Sequence, residues 1–336
     1  MSETPTYKKK DFVSDQDVKW CPGCGDYAIL SSVQQAMTKI GKKKEDIAFI
    51  SGIGCSSRFP YYMDTYGLHG IHGRAPALAS GLKTHNPDLS VWVITGDGDG
   101  LSIGGNHTIH MIRRNIDLNV ILFNNEIYGL TKGQYSPTSK PGIKTKSTPF
   151  GSIDHPFKPG KLILGSGSTF YARSLDTDPK HMTEVMTEAA THKGTSYIEV
   201  FQNCVIFNNA VHDAYTNRQT REDNLVRLEH GKPMIYGKNK DKGLMLKGTQ
   251  VVCVTIGENG VTESDLLVHD VTDENLSNLL ANLEYPNYPV PVGVFYKVDL
   301  PAYDQQVQNQ VDAVTEKKGK GTTKDILYGG STWEIK

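Results

Sequence analysis

Apolar residues along this chain fall in short runs separated by polar, glycine-rich stretches. The run Val91-Trp92-Val93-Ile94 has no polar alternation, the pattern of a parallel strand buried on both faces, and it stops at Gly96-Asp97-Gly98. Ile103, His107, Ile109, Met111 and Ile112 mark a helix-like segment, and a second run, 118–123, ends at Asn124-Asn125-Glu126-Ile127. The 25 residues 99–123 are about the length of one strand-helix-strand crossover. Further strands are predicted at 47–50, 169–172, 197–201 and 250–255, and helices at 27–40, 75–85, 179–192 and 273–283. In the helix at 75–85, Ala77, Leu78 and Leu82 are expected to share one apolar face. The alternation predicts an α/β fold with a mostly parallel sheet flanked by helices.

Three regions follow from composition. Residues 1–19 are polar and lysine-bearing and are expected to be an arm that packs on a partner or frays. Residues 20–206 hold the alternating pattern. Beyond them, 207–336 form a C-terminal extension with no visible chemistry, expected to serve as a subunit interface or cover. The Ser-, Thr- and Pro-rich stretch from Gln134 to Gly160 is long for a compact domain and reads as a functional cover or partner contact. With 36 Lys+Arg against 37 Asp+Glu, the chain has no general attraction to nucleic acid or an anionic membrane. No apolar run approaches the ~20 residues needed to span a bilayer, and the N-terminus lacks the hydrophobic core of a signal peptide, so a cytoplasmic location is expected.

The crossover carries chemistry. It delivers Asp97 and Asn125 side by side at the carboxyl edge of one sheet, where ligands bind. A carboxylate, an amide oxygen and a backbone carbonyl two residues on are hard donors that suit Mg2+, which in turn keeps phosphate oxygens in its shell. Gly96 and Gly98 let backbone approach such an anion. The second signal is Cys21-Pro22-Gly23-Cys24, readable as a redox dithiol, half a zinc site or part of an iron-sulfur cluster. Cys55 and Cys204 follow predicted strands, so a parallel sheet could bring all four thiols to one edge, where by count they suit either an all-thiolate zinc site or a 4Fe-4S cluster. Cys253, inside Val251-Val252-Cys253-Val254, reads as a buried inert thiol.

WCPGCG, IGCSSR, HGIHGRA, GDGDG, NNEIYGLTKGQ and a late cysteine, in this order over residues 18–210, resemble the β subunits of 2-oxoacid:ferredoxin oxidoreductases. The resemblance implies a thiamine diphosphate-binding fold of the diphosphate-binding type. Asp97, the Asn125 side chain and the Ile127 carbonyl would hold Mg2+. Ile53, Gly54, Cys55, Ser56, His72, Gly98, Asp99, Gly129 and Leu130 would contact thiamine diphosphate, and Cys21, Cys24, Cys55 and Cys204 would ligate one 4Fe-4S cluster. It further implies an α subunit carrying the pyrimidine domain, coenzyme A as acyl acceptor and ferredoxin as electron acceptor. Arg58 and Lys132 lie on loops that approach the reactive end of the cofactor, and two cations there favour a substrate with a distal carboxylate, 2-oxoglutarate over pyruvate. Two other classes share part of the pattern. A non-oxidative thiamine diphosphate decarboxylase or synthase needs no cysteine quartet, and a non-enzymatic scaffold on a four-cysteine zinc site needs neither Asp97 nor Asn125.

Overall fold

The computed structural model describes residues 5–335. In chain order its main elements are α1 (Asp26–Met37), β1 (Ile47–Ser51), β2 (Tyr66–His69), α2 (Ala75–His85), β3 (Ser90–Gly96), α3 (Gly105–Arg113), β4 (Asn119–Asn124), α4 (Pro159–Gly165), β5 (Phe170–Leu175), α5 (Pro179–Thr191) and β6 (Ser196–Phe201). After these come β7 (Leu225–Leu228), β8 (Ile235–Tyr236), β9 (Lys242–Lys247), β10 (Gln250–Thr255) and β11 (Val290–Lys297). All eleven strands belong to one sheet, ordered β10-β9-β8-β7-β11-β5-β6-β4-β3-β1-β2, and the half from β5 to β2 is parallel throughout.

The apolar runs are continuous because both faces of this half are covered. Val91, Val93, Val120 and Leu122 point into one core, closed by Ala75 and Ala79 of α2 and by Met111 and Ile112 of α3. Their neighbours Trp92, Ile94, Ile121 and Phe123 point into the other, closed by Ile29, Val33 and Met37 of α1 and by Met182, Val185 and Met186 of α5. Alternation along each strand thus feeds two cores.

Several expectations need correction. The N-terminal arm, outside residues 1–4, which lie beyond the described residues, packs on its own chain: Phe12 is fully buried in the α1–α5 core, and Val13 pairs with Met63. In α2 the buried face is Ala75, Ala79 and Lys83, while Ala77 and Leu78 are exposed. A lysine can occupy the inner face because its Nζ meets the carbonyls of Pro87 (2.7 Å) and Leu89 (2.8 Å) and the Asp117 carboxylate (2.9 Å). Cys253 is exposed, since β10 is an edge strand of the sheet with one face towards solvent. The C-terminal extension continues the same sheet. Its strand β11 lies in the Pro-rich stretch, and Pro291 is accommodated near the strand's start, ahead of a bulge between Val294 and Tyr296.

Candidate active site

Register brings the motifs together. In the parallel ladders Ser51 stands beside Ile94, Gly96 beside Phe123, and Asn124 beside Phe201. The carboxyl ends of β1, β3, β4 and β6 therefore open on one edge, delivering Gly52–Cys55, Asp97, Asn125 and Cys204 to the same region. Every residue assigned to thiamine diphosphate, from Ile53 to Ser56 with His72, Gly98, Asp99, Gly129 and Leu130, lines one cleft there together with Asp97, Asn125 and Ile127.

Asp97 is buried at the end of β3, and its Oδ2 accepts hydrogen bonds from Ser136 (2.5 Å) and Thr138 (2.6 Å). Burial pushes this carboxyl up to about 6, against the pull of those two hydroxyls. Asn125 donates its amide to Gln202 Oε1 at 2.7 Å, which fixes the side chain so that Oδ1 turns towards the Ile127 N–H, 3.2 Å away. Among the described residues the Ile127 carbonyl accepts no hydrogen bond. Ser136, Thr138 and Gln202 escaped sequence reasoning. The first two belong to the long polar stretch after Gln134, whose Ser-Pro-Thr-Ser was the only available signal.

Glycine is required where the motif places it. A Cβ on Gly98 would stand 2.2 Å from the Tyr128 ring, whose hydroxyl donates to the Gly98 carbonyl at 3.0 Å. Asp99 begins a π-helical turn, Asp99–Ile103, closed by Gly104 N–H donating to the Asp99 carbonyl at 3.1 Å. Its side chain is turned inward. The resemblance placed Asp99 at the cofactor; in the fold it lines the cleft, with its carboxylate engaged by donors from this chain.

An adjoining pocket is lined by Cys21, Cys24, Cys55 and Cys204. The Cys24 N–H donates to the Cys21 carbonyl at 3.1 Å, the tight turn that Pro22-Gly23 predicts. Cys55 and Cys204 bring Sγ to 3.6 and 3.5 Å from the point where a Cβ on Gly129 would stand. Burial first, and the nearby Asp26 second, raise Cys24 and Cys55, the latter to about 12. Among the described residues no three His, Cys, Asp or Glu side chains converge as a single ion would need. The four thiols instead ring a pocket.

Asp26, another residue the sequence reading passed over, is 2% exposed with an unpartnered Oδ2 and lines both pockets; burial lifts it to about 7. Arg58 and Lys132 line the cysteine pocket and not the cleft of Asp97 and His72.

Three comparisons agree with this geometry. Residues 52–200 match the family described as "Thiamine pyrophosphate enzyme, C-terminal TPP binding domain". The chain is 47% identical over 333 residues to the 2-oxoglutarate oxidoreductase subunit KorB of Mycobacterium tuberculosis, covering 98% of this chain and 88% of that protein. It is also 47% identical over 191 residues to the 2-oxoacid:ferredoxin oxidoreductase subunit beta of Saccharolobus solfataricus, covering 56% of this chain and 63% of that one. A solved structure of 2-oxoglutarate:ferredoxin oxidoreductase from Magnetococcus marinus, with 2-oxoglutarate, coenzyme A and succinyl-CoA bound, superposes with TM-score 0.77 at 34% identity, covering 98% of each chain. Identity to relatives along nearly the whole length, with the thiamine pyrophosphate-binding family matched over residues 52–200, shows that this chain belongs to the β subunits of the 2-oxoacid:ferredoxin oxidoreductases.

Proposed function

We propose that this chain, joined to an α subunit carrying the pyrimidine domain, oxidatively decarboxylates 2-oxoglutarate with coenzyme A as acyl acceptor and ferredoxin as electron acceptor. The observation that carries this reading is adjacency: Cys55, Asn125, Gly129 and Leu130 line both the cofactor cleft and the four-cysteine pocket. A group oxidised in the first would lie against an electron acceptor held in the second. The relatives named for 2-oxoglutarate support the substrate.

The donor sets fit the groups. Asp97, Asn125 and the free carbonyl of Ile127 are three hard oxygen donors, which would hold Mg2+ on the diphosphate. Cys21, Cys24, Cys55 and Cys204 would hold a 4Fe-4S cluster, which supplies one-electron transfer when bound. Thiamine diphosphate, when bound, supplies the electron sink that a 2-oxoacid needs to lose CO2. Gly98 would admit the diphosphate close to backbone, in the cleft that Gly129, Leu130 and Ile53 to Ser56 also line. Ile71, Leu78 and Ile103 form an exposed apolar rim near His72, suited to the α subunit that completes the cleft. Arg58 and Lys132 would meet the distal carboxylate from the cysteine side. A cytosolic setting, where thiols stay reduced, belongs to the same reading.

The complex purified anaerobically with its α subunit tests this. Ferredoxin reduction should require 2-oxoglutarate, coenzyme A and thiamine diphosphate together, with a larger kcat/KM than for pyruvate. Asp97→Ala should abolish Mg2+-dependent cofactor binding and keep the iron. Turnover without iron or ferredoxin reduction would make this a non-oxidative enzyme, and bound zinc without cofactor affinity would make it a scaffold. Arg58→Ala and Lys132→Ala should each narrow the preference for 2-oxoglutarate over pyruvate; an unaltered ratio would place that discrimination in the α subunit.

A further inference from the structure

We infer that Asp99 is a positioning residue: its carboxylate fixes the ring of His72 so that Nε2 is the atom presented to the cofactor cleft. The inference rests on the thiamine diphosphate reading of that cleft. Asp99 is 2% exposed, and both its oxygens are engaged. Oδ1 lies 2.6 Å from His72 Nδ1 and accepts the N–H groups of Gly73 (2.7 Å) and Ile53 (2.9 Å), while Oδ2 accepts the Thr95 hydroxyl (2.7 Å). A carboxylate held by two backbone N–H groups and a hydroxyl is an acceptor only, so the proton of the 2.6 Å contact sits on His72 Nδ1. Nε2 is then left for the cleft, which His72 lines with its side chain 36% exposed.

The same carboxylate ties together three segments that form the cleft wall: the loop after β1, the turn before α2, and the π-helical turn after β3. Their fit is tight. A Cβ on Gly52 would fall 2.1 Å from Asp99 Oδ2, and Gly73, at φ +69°, would bring its Cβ 2.6 Å from Gly104 N. Tyr128 limits the ring from the side, with centroids 6.3 Å apart at 80°. A buried negative charge beside a diphosphate site opposes anion binding unless its work is to orient a group that favours it. That consideration separates orientation from charge: removing the charge alone would tighten cofactor binding, whereas losing the orientation would loosen it.

The test uses the full-length chain with histidine labelled by 15N, and the complex with its α subunit. The His72 resonance, assigned by its disappearance in His72→Asn, should show a protonated Nδ1, and Asp99→Asn should abolish that single pattern. In the complex, Asp99→Asn and His72→Asn should each raise the Kd for thiamine diphosphate by about tenfold to a hundredfold, the range of one charge-assisted hydrogen bond. The double variant should be at most about threefold weaker than His72→Asn. A His72 protonated only on Nε2, or full additivity of the two substitutions, would overturn the inference. The wild-type tautomer decides even if Asp99→Asn does not fold. A wild-type complex with no affinity for thiamine diphosphate would instead overturn the reading of the cleft.

Discussion

Asn124, at the end of β4, donates its amide to Glu199 on β6 across 2.7 Å in a fully buried setting. Glu199 also accepts from Tyr171 (2.5 Å) and from Arg173 Nε (2.9 Å), and the other side of Asn124 faces Thr138, which bonds Asp97. A chain of buried polar groups thus runs beneath the sheet edge from the Asp97 carboxylate to Arg173, whose guanidinium also donates to the Pro291 carbonyl of β11. The Arg173 charge holds the Glu199 carboxyl below its ordinary value despite burial.

Glu199→Ala leaves a buried arginine without its anion and Asn124 without its anchor. Removing one partner of such a pair costs about 3 to 5 kcal/mol. Urea denaturation of the chain should show a loss in that range, with Glu199→Gln falling between it and wild type. A loss below about 1 kcal/mol would mean that Arg173 finds a replacement partner.

Gly98→Ala tests the approach of backbone to the cofactor. The new methyl falls within the Tyr128 ring, so the ring must swing into the cleft or the turn must shift. Thiamine diphosphate affinity should drop at least tenfold while iron content stays at the wild-type level. Affinity restored by Gly98→Ala with Tyr128→Leu would show the clash to be the cause.

For the cysteine pocket, serine at Cys21, Cys24, Cys55 or Cys204 should lower iron content or cluster stability in anaerobically purified protein. Cys253→Ser should retain all of it, since Cys253 lies on the edge strand β10. Iron lost only in Cys253→Ser would refute the grouping.

His212 provides a pH dependence with a definite sign. Its Nε2–H donates to the Asn124 carbonyl at 3.0 Å, and its Nδ1 accepts from the Tyr215 hydroxyl at 2.7 Å, a neutral ring with both nitrogens satisfied. Burial depresses it from 6.5 to about 4. The unfolded chain therefore binds a proton between those values that the folded chain refuses, and stability falls as pH drops through the window. Between pH 7.5 and 5 wild type should lose about 2 kcal/mol more than His212→Gln. Other titrating groups are common to both proteins and cancel in the difference. Equal losses would mean that His212 is protonated in the fold.

Local sequence determined β1, β3, β4, β5, β6 and β10, the helices α1, α2, α3 and α5 that cover the parallel half, and the donor types at the sheet edge. Continuous apolar runs, the glycines flanking Asp97 and the Cys-Pro-Gly-Cys turn each carry their physical reason within a few residues. Tertiary structure decided what depends on contacts distant along the chain. Lys83 is an inner-face residue only because the turn at Pro87 and Asp117 supply its acceptors, and Ser136 and Thr138 are site residues only because their loop folds back 39 and 41 positions onto Asp97. The inward turn of Asp99 was equally hidden, since the partners of its Oδ1 come from 26 to 46 residues earlier. Periodicity reports which residues avoid water. It carries no information about which polar groups meet once the sheet brings remote loops together, because that depends on strand order and register, and these are set by packing the whole chain at once.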